Sequence, residues 1–135
     1  MASGDNLRLI VVTPERTLLD EPVASLRFPL YDGDIGVLPG RLPLIGRLGA
    51  GELHISTSTG AESYFVDGGF VQVLGRNVTL LTDRAILTKD LSAVEAEKQL
   101  AAALVLSAKT DEEFDAKFAA QQRARRMLAL AERSH

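Results

Sequence analysis

The sequence predicts a chain that is mostly β plus α: an N-terminal β-sandwich followed by a C-terminal antiparallel two-helix hairpin. Three observations predict this. All 11 glycines and all 5 prolines fall before Asp83, so the turn formers belong to the first part. Short apolar runs there are separated by turn signals about every ten residues, the rhythm of a sandwich or small barrel. The last 47 residues are built from Ala, Leu, Glu, Lys, Gln and Arg, the composition of helix. The boundary is placed at Thr88 to Asp90, giving domains 1–88 and 89–135. Charge follows it: 7 Lys+Arg against 10 Asp+Glu before Lys89, then 8 against 8.

Taken in order, Leu7, Leu9 and Val11 share one face of a first strand, since alternate residues of a strand point the same way. Turn signals follow at Asp32-Gly33-Asp34, Pro39-Gly40, Gly49-Ala50-Gly51, Ser58-Thr59-Gly60, Asp67-Gly68-Gly69 and Gly75-Arg76-Asn77. Leu53 and Ile55 point opposite to Glu52, His54 and Ser56. Phe70 to Leu74 and Val78 to Thr82 read as a hairpin across Gly75-Arg76-Asn77, and the second of these strands is apolar enough on both faces to predict full burial. No helical crossover fits between these strands, which excludes a parallel α/β sheet.

In the second part, Ser92-Ala93-Val94-Glu95 and Thr110-Asp111-Glu112-Glu113 fit the capping box, in which a hydroxyl and a carboxylate satisfy each other's exposed backbone donors. These starts predict helices over Ser92 to Ser107 and Asp111 to Arg133, joined by Ala108-Lys109-Thr110. A connection that short makes them antiparallel neighbours. Val94, Ala101, Leu104, Val105 and Ala108 are expected on the packed side of the first helix. Phe114, Phe118 and Leu128 share a stripe of the second, interrupted by Gln121 and Arg125. So small a hairpin buries little and is expected to be marginally stable.

Composition narrows the function. The chain has no cysteine, which removes disulfides, thiolate metal sites and cysteine chemistry. Its net charge of -3 argues against a general nucleic-acid binder. The opening Met1–Asn6 has neither the basic and apolar regions of a secretion signal nor the arginines of a mitochondrial presequence, so an intracellular protein is expected. Asp32 to Gly40 lacks the Gly-Lys-Ser/Thr of a phosphate loop, and Pro39 removes a donor. Asp32 and Asp34 open like a calcium loop, but Pro43 stands where the closing glutamate belongs. His54, the lone internal histidine, lies on the polar side of its strand and is expected to be exposed. Arg123, Arg125 and Arg126 suit either a solvated face or a docking surface. No catalytic residue, metal or cofactor emerges; the protein is expected to work by contact. Two rival classes are a free-standing β-sandwich protein-binding module with a dimerising helix hairpin, and an enzyme dependent on His54.

Several ordered motifs resemble one family. They are Leu9-Ile10-Val11-Val12-Thr13-Pro14-Glu15-Arg16; the stretch Asp32-Gly33-Asp34-Ile35-Gly36-Val37-Leu38-Pro39-Gly40-Arg41-Leu42-Pro43-Leu44; Gly68-Gly69-Phe70-Val71-Gln72-Val73; and Asn77-Val78-Thr79-Leu80-Leu81-Thr82-Asp83-Arg84-Ala85, followed by Ala-rich helices. The second of these is similar to the pattern acidic-Gly-x-x-Gly-x-x-Pro-Gly-His-x-Pro-Leu of the ε subunit of the F-type ATP synthase, and the resemblance runs over nearly the whole chain. It implies a non-catalytic rotor subunit that fixes the γ subunit to the ring of membrane-embedded c subunits.

The resemblance further implies that Asp32, Asp34, Ile35, Gly36, Pro39, Gly40, Arg41 and Pro43 contribute to the contact loop on the c ring and γ, with Arg41 where the family usually has His. It implies that the hairpin can extend along γ to the catalytic α/β subunits and inhibit hydrolysis of ATP. Arg123, Arg126 and Arg133 then form a basic stripe, while Arg125 shares the face of Phe114 and Phe118. Some members bind ATP through Ile/Leu-Asp-x-x-Arg-Ala. The nearest match, Phe114-Asp115-Ala116-Lys117-Phe118-Ala119, keeps Asp115 but has Phe118 in place of Arg, so weak ATP binding or none is expected. Membrane association comes only through the complex, at the cytoplasmic face of a bacterial inner membrane or the stromal side of a thylakoid.

Overall fold

The computed structural model describes residues 7–31, 33–37 and 43–134. Contacts divide the chain into two compact units, Met1–Leu87 and Thr88–His135. The first holds ten strands: β1 (Leu7–Val12), β2 (Thr17–Val23), β3 (Ser25–Leu30), β4 (Gly33–Val37), β5 (Leu44–Arg47), β6 (Ala50–Thr57), β7 (Gly60–Asp67), β8 (Phe70–Leu74), β9 (Asn77–Leu81) and β10 (Ala85–Leu87). They form two five-stranded sheets, one ordered β2-β1-β9-β8-β5 and the other β10-β7-β6-β3-β4. The expected sandwich is therefore present, and one pairing is parallel: β1 lies beside β9, Leu9 opposite Val78 and Val11 opposite Leu80.

Period-two alternation builds the core. Leu7, Leu9 and Val11 are buried as expected, and so are Leu53 and Ile55. Phe28, Val71, Val73, Val78 and Leu80 complete the interior between the sheets. Pro22 is tolerated because β2 is an edge strand with no neighbour awaiting its missing N–H.

The turns correct several expectations. At the turn signal Gly49-Ala50-Gly51 the chain crosses between sheets, since β5 and β6 lie in different ones. A Cβ on Gly49 would come 2.8 Å from the Leu30 carbonyl oxygen, a close approach that only glycine permits. The second crossing, β7 to β8, runs through Gly68-Gly69. Gly69 has φ +108°, and a Cβ there would collide with the Leu81 carbonyl. The crossings are tied together by Leu48 N–H donating to Gly69 O at 2.8 Å and Gly68 N–H donating to Gly49 O at 3.2 Å. The β8–β9 loop is shorter than expected: Leu74 pairs with Asn77, leaving Gly75-Arg76 as a two-residue turn with Gly75 at φ +61°. Strand β9 is central in its sheet but not buried on both faces, since Leu81 is 51% exposed.

In the second unit a single 3₁₀ turn (Thr88–Asp90) precedes α1 (Ala93–Leu104) and α2 (Asp111–Ser134), which pack on each other. Ser92 caps α1 by accepting from Glu95 N–H at 3.2 Å. At α2 the capping box is reciprocal: Thr110 Oγ1 accepts from Glu113 N–H at 3.1 Å, and Glu113 Oε1 accepts from Thr110 N–H at 3.2 Å.

Two expectations fail in the hairpin. First, α1 ends at Leu104 rather than Ser107, with Val105 as its C-cap, so the connection is Val105 to Thr110. Second, the expected packing faces are outward. Val94, Leu104 and Val105 are exposed, as are Phe114 and Phe118. The buried positions are Ala96, Ala103, Ala124, Met127, Leu130 and Ala131. Small side chains let helix backbones approach closely, and that preference outweighs the placement of the largest apolar groups.

Candidate functional site: a contact surface

Four of the eight residues assigned to the contact loop, Asp32, Pro39, Gly40 and Arg41, lie outside the described residues. Gly33 to Val37, expected as part of a tight loop, form strand β4, paired antiparallel with β3: Leu30 opposite Gly33, Pro29 opposite Asp34 and Phe28 opposite Ile35. Alternation puts Ile35 against the core, while Asp34, Gly36 and Pro43 are exposed. Within β4, Asp34 lies about 10 Å from Val37 at the usual rise of a strand.

The structure presents a surface that sequence reasoning missed. On the outer face of the first sheet, cross-strand register aligns Arg47, Phe70, Leu81 and Val12 in one row. The next row is Ile45, Gln72, Thr79 and Ile10. Ile45 is 78% exposed and Phe70 57%; Leu74 and Leu81 are exposed too. Isolated exposed apolar groups are ordinary, but neighbours in register form a patch, which marks a contact site. The signal was legible in part. Phe70 and Leu74 alternate with buried Val71 and Val73, and Leu81 lies beside buried Leu80, so both faces of β8 and β9 are apolar.

Three arginines of the sandwich are held in ion pairs. Arg8 Nη2 pairs with Asp20 Oδ1 at 2.7 Å, Arg27 Nη2 with Glu52 Oε1 at 3.2 Å, and Arg84 Nη2 with Asp67 Oδ2 at 3.7 Å. Arg47 instead stacks on an aromatic ring, its guanidinium carbon 4.6 Å from the centroid of Tyr31. On the other sheet, burial, with help from Glu62 and Glu21, pushes the Tyr64 hydroxyl up to about 12. That hydroxyl donates to Glu62 Oε2 at 3.3 Å.

His54 is half-buried rather than fully exposed, with Arg27 and Ser63 as its strand partners. Among the described residues no cluster of His, Asp and Glu could hold a metal ion, and no helix is long and apolar enough to cross a membrane. A shallow depression between the β1–β2 turn and the start of β10 is lined by Glu15, Arg16, Asp83 and Arg84, whose charges balance. On α2, Arg125, Arg126 and Arg133 are exposed and Arg123 is half-buried. Arg123, Arg126 and Arg133 each already make a polar or electrostatic contact. Asp115 is exposed beside exposed Phe118.

The fold has close counterparts. The chain superposes on a chain of the Tetrahymena thermophila mitochondrial ATP synthase, in a structure of its central stalk and c ring, with a TM-score of 0.77 at 14% identity, covering 96% of this chain and 99% of that one. A chain of the Euglena gracilis mitochondrial enzyme gives 0.72 at 24% identity, covering 98% and 81%. In sequence, the chain is 49% identical over 123 residues to the ATP synthase epsilon chain of Rhodopirellula baltica, spanning 91% of this chain and 96% of that one. Residues 6–88 match the family described as the ATP synthase Delta/Epsilon chain, beta-sandwich domain. A sandwich with an apolar outer face, an Ala-packed hairpin and these relatives together place the molecule: the chain belongs to the epsilon-chain family of the F-type ATP synthase, a family of non-catalytic central-stalk subunits.

Proposed function

We propose that this chain joins the γ subunit to the c ring in the rotor of an F-type ATP synthase, so that ion flow and nucleotide chemistry stay coupled, and that it meets γ through the outer face of its first sheet. The observation that carries this is the patch of Ile45, Phe70, Leu74 and Leu81, apolar and exposed on a chain of this family. Residues 1–88 are the coupling element. Asp32, Asp34, Ile35, Gly36, Pro39, Gly40, Arg41 and Pro43 are its contact segment. Attachment to the cytoplasmic face of a bacterial membrane comes only through the complex.

Residues 89–135 are the regulatory element, which restrains ATP hydrolysis when its helices extend toward the catalytic α/β subunits. What supports this is the outward display of Leu104, Val105, Phe114 and Phe118 on a hairpin whose packed face is largely alanine. In the extended state Arg123, Arg126 and Arg133 meet an acidic segment of the catalytic β subunits and exchange their present contacts for it. Asp115 lacks the arginine partner that ATP binding would need, so the isolated protein is expected to bind ATP no better than about millimolar.

The test is reconstitution of the complex with the full chain and with a truncation after Thr88. The truncated chain should still assemble and support proton pumping, while ATP hydrolysis rises. Failure to join γ, or an uncoupled complex, would sink the division of roles. Replacing Arg123, Arg126 and Arg133 together with Ala should raise hydrolysis as truncation does. If truncation activates and the triple variant does not, the stripe is a solvated face.

A further inference from the structure

We propose that Arg47 is the charged anchor of the γ-facing sheet, its guanidinium held by Tyr31 to receive a carboxylate from the partner surface. The inference rests on the docking reading above and adds the chemistry of the partner: an apolar surface carrying an acidic side chain opposite the β5 edge.

Position comes first. Arg47 stands in the same cross-strand row as Phe70 and Leu81, and two residues from Ile45 on the same face. It is exposed at the edge of the apolar patch rather than within it. Its backbone is fixed as well, because Tyr31 N–H donates to Arg47 O at 2.9 Å.

Restraint comes second. The guanidinium lies 4.6 Å from the centre of the Tyr31 ring, and Tyr31 is itself 68% exposed. An arginine stacked on a ring has already lost much of its rotational freedom before a partner arrives, which lowers the cost of pairing. A guanidinium that lies flat over a ring keeps its in-plane N–H donors available, the geometry that receives a carboxylate through two hydrogen bonds.

Charge balance comes third. The outward-facing charged side chains described on the first sheet are Arg8, Asp20 and Arg47. Arg8 and Asp20 neutralise each other at 2.7 Å. Among the described residues Arg47 has no carboxylate within ion-pair distance. Among the described residues, then, the face presents a single uncompensated cation beside exposed hydrophobic groups. A partner that covered it with apolar surface alone would strand that charge, whereas one offering a carboxylate compensates it. Tyrosine and arginine flanking an apolar centre is also the composition in which interface energy concentrates.

The experiment measures binding of the full-length chain to a γ-containing rotor complex lacking this subunit, at low and moderate salt. Arg47→Ala should raise the dissociation constant about tenfold at low salt and flatten its salt dependence. Arg47→Glu should raise it by about a hundredfold, Arg47→Lys should fall between wild type and Arg47→Ala, and Tyr31→Leu should weaken binding severalfold while Tyr31→Phe does not. Ile45→Asp tests the face itself. If Ile45→Asp leaves affinity unchanged, the docking reading fails and the anchor with it. If Ile45→Asp weakens binding and Arg47→Ala matches wild type at both salts, the face stands and the anchor is overturned. Loss of c-ring attachment with unaltered γ affinity in Arg47→Ala would equally overturn it.

Discussion

The sandwich and the helix hairpin solve burial in opposite ways. Between the sheets, Phe28, Leu9, Leu53, Ile55, Leu80 and several valines are fully enclosed, and each such side chain contributes roughly 1.5–3 kcal/mol. In the hairpin the enclosed positions are mostly alanines with Met127 and Leu130, while Leu104, Val105, Phe114 and Phe118 face outward. The first unit spends its large apolar groups on its own stability. The second leaves them exposed. The roles proposed above, a rigid coupling element and a conformationally responsive one, would draw on those two allocations respectively.

The largest expected effect tests the rigid side of that contrast. Phe28→Ala should cost about 3–5 kcal/mol, because a cavity opens where no side chain can collapse to fill it. Thermal unfolding followed by β-sheet circular dichroism should show it. A loss no greater than that of Phe118→Ser would break the comparison.

Tyr64 gives the next largest effect, visible only in alkali. Its folded value lies near 12 against an ordinary 10, so between those pH values the folded state holds a proton that the unfolded state has released. Stability from this group is complete below pH 10 and is lost as pH rises toward 12, by about 1–2 kcal/mol. Denaturant midpoints at pH 9 and pH 11.5 should separate wild type from Tyr64→Phe, which lacks the titration. Parallel pH profiles would show that the enclosure of the hydroxyl is not what raises its value.

In the hairpin the expected effects are smaller. Thr110→Ala removes the hydroxyl that accepts from Glu113 N–H and should cost about 1 kcal/mol of helix stability. Faster amide exchange over the first turn of α2 would report it, and unchanged protection would mean the cap is redundant. Phe118→Ser should cost least, within about 0.5 kcal/mol, because the ring is 62% exposed. A large loss from Phe118→Ser would mean that the ring is buried in solution after all.

Which features were legible follows from the range of the physics behind them. Alternation along β1 and β6 named Leu9, Val11, Leu53 and Ile55 correctly, because period two is a property of the strand itself. Both helix starts were readable, since a capping hydroxyl acts on a donor three residues away. The packed faces of the helices were not. Choosing between Val94 and Ala96 depends on how near the other helix comes, which no local pattern encodes. Gly49-Ala50-Gly51 was readable as a break between strands but not as a crossing, because glycines that let a chain pass between sheets look like glycines in any turn.

By itself, then, the sequence determined the order of strands before helices, the alternation that fills the core, the caps, and motifs sufficient for the family resemblance. All of these depend on residues close together in the chain. Only the tertiary structure decided that β1 pairs parallel with β9, that β4 and β5 belong to different sheets, and that Ile45, Phe70 and Leu81 meet on one face with Arg47 stacked on Tyr31 beside them. Cross-strand neighbours are set by register, and register is fixed when the sheets bury their common core, not by the local preferences of any one strand.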